Sequence, residues 1–181
     1  MIDDKTLVAQ LKNTSSKEQA FRTLVSQYKE RLYWHIRKIV RSHDDTDDVL
    51  QNTFIKVFKN IQNFKEESKL FSWMYRIATN EAITFLNKKA KKQHVSLEEI
   101  QEESASNLES DLYFTGDEIQ LLLQQAVAKL PQKQQLVFNM KYFDGLKYTE
   151  ISEILETSVG ALKASYHHAV KKIETTLKTH C

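Results

Sequence analysis

The sequence predicts an all-α protein of two small helical domains joined by an acidic linker, the second domain containing a helix-turn-helix. Residues that favour helices dominate the 181-residue chain, which has only three Gly and one Pro. Apolar residues recur at steps of three and four, and in neither half does a strand pattern fit better than this helical one. Between the two halves lies a stretch of weak periodicity, rich in acidic residues and Ser.

The first domain is expected over 1–92 as a set of amphipathic helices. A short helix over 5–12 precedes a longer one, for which Ser16 is the expected N-cap. Thr46 is expected to cap the next helix, because acidic residues follow it in the first turn. A loop then leads to a further helix, for which Ser68 is the expected cap.

The acidic linker is expected over 93–116, as an extended or mobile segment, and the second domain over 117–181. Pro131 suits the first turn of a helix, which Asp144 and Gly145 then break. Thr149 and Ser158 are the expected caps of a short helix and a long final helix. A short helix, a turn of about three residues and a longer helix have helix-turn-helix proportions.

Charge is distributed unevenly behind a net charge of +2. Residues 1–92 hold 18 Lys and Arg against 11 Asp and Glu. Residues 93–128 hold none against 8, and residues 129–181 hold 8 against 5. Two basic segments around an acidic one suggest a polyanionic partner. Simple clustering of surface charge is an equally good explanation of this pattern taken alone.

Several classes of protein do not fit the sequence. No apolar run is long enough to span a membrane, and the single cysteine, Cys181, fits a reducing cytosol, so a cytoplasmic protein is expected. The segment HDDTDD over 43–48 lacks the Gly and the later Glu of a calcium loop, so no metal site is expected. No glycine-rich phosphate loop or catalytic triad pattern is present. We therefore expect no catalytic residue, no cofactor and no small-molecule substrate.

The stretch FSWMYRIATNEAITFLNKKAKK over 71–92 predicts a helix with two distinct faces. One face is apolar, and the other carries an aromatic ring, an Arg, two Asn and Lys. A Trp ring can stack on a base, Asn can read a base edge, and cations can hold phosphates. With the preceding loop, this face is a candidate single-strand surface comprising Asn63, Phe64, Lys65, Lys69, Trp73, Arg76, Asn80, Thr84, Asn87, Lys88 and Lys91. The alternative, in which Trp73 and Phe64 pack inside and the lysines are merely solvated, stays open.

The final helix is the candidate duplex-reading helix. Its first turns would enter the major groove, where small residues allow close approach and Lys meets phosphates or guanine edges. The candidate residues here are Tyr148, Thr149, Ser158, Val159, Gly160, Ala161, Lys163, Ala164, Ser165, His167, His168 and Lys171. Two helices joined by a short turn also occur in bundles that bind no DNA, and that alternative stays open.

Two long stretches resemble a known family. DDVLQNTFIKVFKNIQNFKEESKLFSWMYRIATNEAITFLNKK resembles region 2 of bacterial sigma-70 factors. LPQKQQLVFNMKYFDGLKYTEISEILETSVGALKASYHHAVKKIETTL resembles region 4. The size of the chain and the missing intermediate domain are similar to those of the extracytoplasmic-function (ECF) group.

This resemblance implies a non-enzymatic sigma factor that recruits core RNA polymerase to promoters. Region 2 would bind core polymerase, then recognise and melt the −10 element as a single strand. Region 4 would recognise the −35 element as a duplex. The core-binding helix of the family carries Asp-x-x-Gln-x-x-Phe, matched here by Asp48, Gln51 and Phe54, with Phe54 as internal support. The implied core-binding residues are Asp48, Gln51, Asn52, Ile55 and Lys59.

The resemblance also implies further partners and some departures. Many such factors are held inactive by an anti-sigma factor, so one is expected here. Asn80 matches the Asn of the family pattern Trp-Leu-x-x-Ile-Ala-x-Asn, whereas Ser165 and His168 replace residues that are often Arg. Recognition of the −35 element would then depend more on Lys163 and Lys171. A free-standing two-domain DNA-binding regulator and a helical adaptor that binds only protein are the alternative functions.

Overall fold

The computed structural model describes residues 2–106 and 118–178, and within these ranges the structure is helical and has no strand. A 3-10 turn (Ile61–Asn63) follows the third helix and a π-helical turn (Asn139–Phe143) follows the seventh. The α-helices are α1 (Asp4–Lys12), α2 (Lys17–Val40), α3 (His43–Asn60), α4 (Leu70–Gln93), α5 (Leu97–Ser106), α6 (Glu118–Ala128), α7 (Gln132–Phe138), α8 (Tyr148–Leu155) and α9 (Val159–Lys178).

The N-terminal half is a bundle in which α2, α3 and α4 pack against one another and α1 lies against α2. Each helix buries its apolar stripe, represented by Leu32 and Ile36 of α2, Val57 of α3 and Met74 of α4, none of which has any exposed surface. Phe54 of α3 is 8 % exposed, as expected for a supporting side chain. This bundle fixes the two helices, α3 and α4, that carry most of the predicted site residues.

Two helix starts differ from the sequence prediction. Helix α3 begins at His43 because Ser42, rather than Thr46, is its N-cap, with Ser42 Oγ accepting from the Asp45 amide at 3.3 Å. Thr46 lies inside the helix, and its hydroxyl donates to the Ser42 carbonyl. Helix α4 begins at Leu70, with Lys69 rather than Ser68 at the cap position and no side-chain cap.

Part of the expected linker is helical. Helix α5 occupies 97–106, starting where Ser96 and Glu99 cap each other: the Glu99 amide donates to Ser96 Oγ and the Ser96 amide to Glu99 Oε2. Ile100 is 1 % exposed and belongs to the main core. This reciprocal capping and one buried apolar side chain explain why the segment is helical rather than extended.

The C-terminal half contains the expected helix-turn-helix, α8 and α9. Gly145 follows the π-helical turn with φ at +66°, a left-handed backbone conformation that glycine adopts at low cost. Helix α8 is preceded by Lys147, not capped by Thr149, and the Lys147 amide donates to Glu150 Oε2 at 3.0 Å. Ser158 Oγ accepts from the Ala161 amide at 3.3 Å, so the predicted capping of α9 is confirmed.

The two halves share one continuous core. Leu136, Met140, Ile151 and Leu162 from the C-terminal half join the same buried cluster as the N-terminal bundle. A second, smaller cluster lies between α6, α7 and α9, around Phe138. Helix α8 packs directly on α4. The first helix of the helix-turn-helix therefore lies against the helix that carries the predicted single-strand surface.

A buried polar junction also joins the halves. His35 of α2, 1 % exposed, contacts Asp144 Oδ2 through Nδ1 at 3.1 Å and Thr79 Oγ1 through Nε2 at 2.8 Å. Lys38 donates to the other Asp144 oxygen. Buried polar atoms need such partners to offset their lost hydration. These bonds therefore help define how the C-terminal half docks on α2.

Within 2–106 and 118–178, no helix combines the length and apolar character needed to cross a bilayer. The same ranges contain no group of three or more His, Cys, Asp or Glu side chains arranged to hold a metal ion.

Candidate nucleic-acid interface

The predicted single-strand residues of α4 form one row along the helix, which we call the Trp73 row: Trp73, Arg76, Asn80, Thr84, Asn87 and Lys91. The last four are exposed, and Trp73 and Arg76 are partly buried. Lys88 is also exposed beside this row, and the loop before α4 adds exposed Asn63, Lys65 and Lys69. The structure thus places these predicted residues on one side of the N-terminal half.

Phe64 does not belong to that exposed surface. It is 5 % exposed, and its ring lies 4.9 Å from the ring of Trp73, centroid to centroid, at an interplanar angle of 36°. Lys12 Nζ donates to the Phe64 carbonyl at 2.7 Å, which fixes the loop. The expectation that Phe64 offers a face to DNA is corrected accordingly: its ring is covered and supports Trp73 from below.

A small cavity of about 300 Å³ adjoins the exposed side of Trp73. Its lining includes Asn63, as predicted, and also Lys56 and Asn60 of α3 and Ile77 of α4, which the sequence analysis did not single out. Lys56 is held by an ion pair with Glu81. A concave apolar surface next to an aromatic ring and two amides can receive a planar group and hydrogen-bond to its edge. Lys56 and Asn60 lie one helical turn apart on α3, a spacing that could have identified them.

Two cations of this surface are held by carboxylates from the C-terminal half. Arg76 Nη1 lies 2.9 Å from Glu156 Oε1, and Lys69 Nζ lies 2.9 Å from Glu150 Oε1. The hydrogen bond and negative charge of Glu150 raise the pKa of Lys69. The pKa of Glu150 is lowered, first by the hydrogen bond from the Lys147 amide and then by Lys69. Carboxylates from the C-terminal half therefore neutralise two cations of the predicted single-strand surface.

The predicted protein-binding residues lie on the outer face of α3. Asp48, Gln51, Asn52 and Lys59 are exposed, and Ile55 is 43 % exposed in the same row. This face points away from the core formed by Val57 and Phe54.

The outer face of the helix-turn-helix is open. Most of the residues predicted to lie on it are exposed, namely Thr149, Ser158, Gly160, Ala161, Lys163, Ala164, His167, His168 and Lys171. Tyr148, Val159 and Ser165 are partly buried, and the Tyr148 ring packs edge-on against Tyr166. Lys163 Nζ lies 5.9 Å from the centre of the Tyr148 ring. Most residues predicted to contact duplex DNA are therefore exposed. Tyr148 instead packs within the helix-turn-helix.

The chain matches known families in both halves. Residues 24–92 match Sigma-70 region 2, and residues 120–173 match Sigma-70, region 4. The ECF RNA polymerase sigma factor SigW of Bacillus subtilis is 30 % identical over 169 residues, covering 89 % of this chain and 90 % of SigW. The chain belongs to the ECF sigma factor family. It is therefore a promoter-recognising RNA polymerase sigma factor, which is a transcription initiation factor.

Other relatives agree with this assignment of the sigma factor. The ECF RNA polymerase sigma-E factor of Haemophilus influenzae is 27 % identical, covering 98 % of this chain and 96 % of its own length. The fold is similar to that of CnrH, solved in complex with the cytosolic domain of CnrY, with a TM-score of 0.71, 21 % identity, and coverage of 98 % and 99 %. It is also similar to RpoE of Bartonella quintana, solved in complex with the anti-sigma factor NepR, with a TM-score of 0.67, 17 % identity, and coverage of 87 % and 96 %.

Proposed function

We propose that this sigma factor recruits core RNA polymerase in the cytoplasm and directs it to promoters by reading two DNA elements. The Trp73 row and its loop hold the single-stranded −10 element, and α9 reads the duplex −35 element. The outer face of α3 binds core polymerase. In this proposal the domains extend over 1–92 and 117–181, with 93–116 between them, and the protein itself catalyses no reaction.

The observation that most strongly supports this proposal is the Trp73 row itself. A free-standing duplex-binding regulator would account for α8 and α9, but it has no need for a supported Trp ring beside a cavity with two amides. Stacking of a base on an aromatic ring contributes about 1–3 kcal/mol. The basic loop and the lysines near the end of α4 would hold the strand through its phosphates.

An anti-sigma factor is proposed as the further partner. The family makes such a partner common, and RpoE of Bartonella quintana, which has a similar fold, was solved in complex with the anti-sigma factor NepR. Neither a cofactor nor a small-molecule substrate belongs to the proposed activity.

The test is in vitro transcription with bacterial core polymerase on a pool of promoter sequences. The wild type is expected to give start-site-specific transcripts. The double variant Trp73→Ala/Asn80→Ala is expected to bind core polymerase normally but to open promoters at least tenfold less, because stacking and edge contacts to the −10 strand are lost. Trp73→Phe, which keeps a flat ring, is expected to retain most of the wild-type promoter-opening activity.

The matched control is Thr14→Ala, an exposed change in the loop between α1 and α2, which is expected to behave as wild type. If the wild type neither binds core polymerase nor supports transcription, yet shifts duplex DNA alone, the proposal is wrong and the protein is a free-standing regulator. If the double variant opens promoters as well as the wild type, the role of the Trp73 row is wrong.

A further inference from the structure

Helix α1 lies before residues 24–92, which match Sigma-70 region 2, and it contributes no residue to the predicted DNA-binding or core-binding surfaces. It is nonetheless firmly attached to the N-terminal bundle, since Leu7 and Leu11 have no exposed surface. The helix packs on α2 and on the 3-10 turn that leads into the loop before α4. Its last residue, Lys12, therefore lies beside the loop that borders the cavity next to the Trp73 ring.

Two hydrogen bonds in opposite directions join the end of α1 to that loop. Lys12 Nζ donates to the Phe64 carbonyl at 2.7 Å, and Gln62 Nε2 donates to the Lys12 carbonyl at 3.1 Å. The last carbonyls of a helix have no partner within the helix, so Gln62 satisfies one of them. The two bonds hold the residues on either side of Asn63, which lines the cavity beside Trp73.

The backbone of Phe64 is held at three points. Its amide donates to the carbonyl of Ile61 at 3.2 Å, and Ile61 has no exposed surface. Its ring lies beneath Trp73, and its carbonyl accepts from Lys12. Loss of the Lys12 ammonium would leave the first two contacts in place. We therefore expect a variant without that ammonium to fold, with a loop that is less firmly tied to α1.

Lys12 also balances a negative charge in the loop. Its Nζ lies 3.1 Å from Oε1 of Glu66, a residue with φ at +61°, in the left-handed region that non-glycine residues seldom adopt. The two side chains are 30 % and 48 % exposed, so the ion pair itself adds little to stability. Without Lys12, however, the Glu66 carboxylate would stand unbalanced one residue from Lys65, a predicted DNA-binding residue, and would repel phosphates there.

We propose that Lys12 is a positioning residue for recognition of the single strand. By holding the backbone on both sides of Asn63, α1 keeps Asn63 and Trp73 in the arrangement in which the cavity between them receives a base. Lys12 itself contacts no DNA. This inference rests on the proposed function and deepens it, because it gives α1 a part in promoter opening.

The first test is hydrogen–deuterium exchange of the free, full-length protein. Lys12→Met keeps a long apolar side chain but removes the ammonium, and it is expected to speed exchange of the amides over 62–68 at least fivefold. Exchange in α2 is expected to stay as in the wild type, which also shows that the variant is folded. Lys12→Arg, which keeps a cationic donor, and Lys5→Met, the same change at an exposed position of α1, are both expected to exchange as the wild type does.

The second test measures binding of the polymerase holoenzyme to labelled −10 strands, intact or lacking one base at each position in turn. All variants carry Glu66→Gln, which removes the effect of an unbalanced carboxylate. Lys12→Met is expected to weaken binding of the intact strand at least fivefold. It is expected to have no effect on the strand that lacks the base received by the cavity. The slope of log Kd against log salt should not change, because no phosphate contact is lost.

The proposal is overturned if the loop of folded Lys12→Met exchanges as slowly as that of the wild type. It is also overturned if Glu66→Gln abolishes the binding defect, since Lys12 would then act through charge alone. A defect that is equal on all strands and comes with a smaller salt slope would show that Lys12 binds a phosphate directly. If the holoenzyme with wild-type sigma factor binds no −10 strand, the proposed function is wrong, and the exchange experiment, which uses no DNA, separates that failure from a failure of Lys12 to hold the loop.

Discussion

Asp144 shows how one side chain can hold the two halves of this sigma factor together. Its side chain is 6 % exposed, and burial alone raises the pKa of a carboxyl group. The hydrogen bond to His35 and the charge of Lys38 outweigh burial, so the pKa of Asp144 lies below its usual value. Asp144 is therefore ionised in the folded protein at neutral pH, and its bonds connect the π-helical turn to α2.

Replacing Asp144 by Asn is expected to destabilise the protein. The change leaves Lys38 without its counter-charge, and loss of a charged hydrogen bond in a buried pair costs about 2–3 kcal/mol. Urea unfolding followed by circular dichroism measures this. Asp47→Asn is the control, because the Asp47 side chain is 57 % exposed and surface pairs of this kind change the free energy of unfolding by about 0–1 kcal/mol. Equal effects of the two changes would contradict the importance of the junction.

The same carboxylate predicts how stability depends on pH. Because the pKa of Asp144 is lowered by folding, its contribution is complete well above pH 3.8, its ordinary value, and is lost as pH falls through the folded-state pKa. The free energy of unfolding of wild type minus that of Asp144→Asn is therefore expected to shrink below about pH 4. Urea titrations between pH 3 and pH 7 check this, and a difference that stays constant over that range would refute it.

At the residue scale, sequence patterns predict which side chains are exposed, but they do not predict contacts between residues far apart in the chain. The Trp73 row follows from helical spacing within one segment, and its position on one exposed side is seen in the structure. The pairing of His35 with Asp144 joins residues 109 positions apart, and no local pattern encodes it. The prediction that Phe64 is exposed is wrong for a similar reason, because an aromatic residue in a loop can point outward or inward and the packing beneath Trp73 decides between them.

At the scale of the element, α9 combines its proposed DNA-reading role with a residue near its start, Gly160, that lowers helix stability. Gly160 lies in the first turn of this helix, where a glycine lowers helix stability. A Cβ atom added at this position would have no neighbouring atom within 4 Å. Substitution by Ala has room in the protein itself. A methyl group would nonetheless lie on the surface of α9 that we propose approaches a base pair.

Gly160→Ala is therefore expected to stabilise the protein by about 0.5–1 kcal/mol while weakening −35 recognition. Transcription from a promoter that needs its −35 element should fall severalfold. A template with a pre-melted −10 region and no −35 element serves as the control and should be transcribed as by the wild type. A variant that is more stable but equally active on both templates would show that close approach at Gly160 is unimportant.

Helix ends show where local prediction succeeds and where it fails. At α9 the predicted cap, Ser158, is confirmed. At α3, Ser42 and Thr46 are both good caps four residues apart, and the helix begins at the earlier one, which adds a turn of backbone hydrogen bonds. Competition between two local signals is decided by packing, here the burial of Thr46.

At the scale of the whole molecule, the all-α fold was predictable because helical periodicity runs through both halves. The docking of the halves was not, since it depends on α8 packing on α4 and on side-chain pairs between distant segments. Glu150 and Glu156 belong to the helix-turn-helix in sequence, yet they contact Lys69, at the start of α4, and Arg76 of the Trp73 row. Nothing in their spacing indicates that second role.

This docking predicts that the free sigma factor binds a −10 single strand poorly. The double variant Glu150→Gln/Glu156→Gln removes the carboxylates from Lys69 and Arg76, and its affinity for a labelled −10 oligonucleotide is expected to rise at least threefold. Fluorescence anisotropy at low salt measures this, because exposed ion pairs are weakened by salt. Glu174→Gln, an exposed change on α9, is the control. An unchanged affinity in the double variant would show that α8 does not restrain the strand-binding face.

The contact of α8 with the Trp73 row also bears on competition inside a cell. A surface that stacked bases and held phosphates, as proposed for the Trp73 row and its loop, would otherwise be open to messenger and ribosomal RNA. The pairs that shield it are surface ion pairs, each of small free energy, so attachment to a larger partner can displace them. The factor would then remain clear of transcripts while free, and expose its strand-binding face only once assembled, where promoter DNA is the nearest single strand.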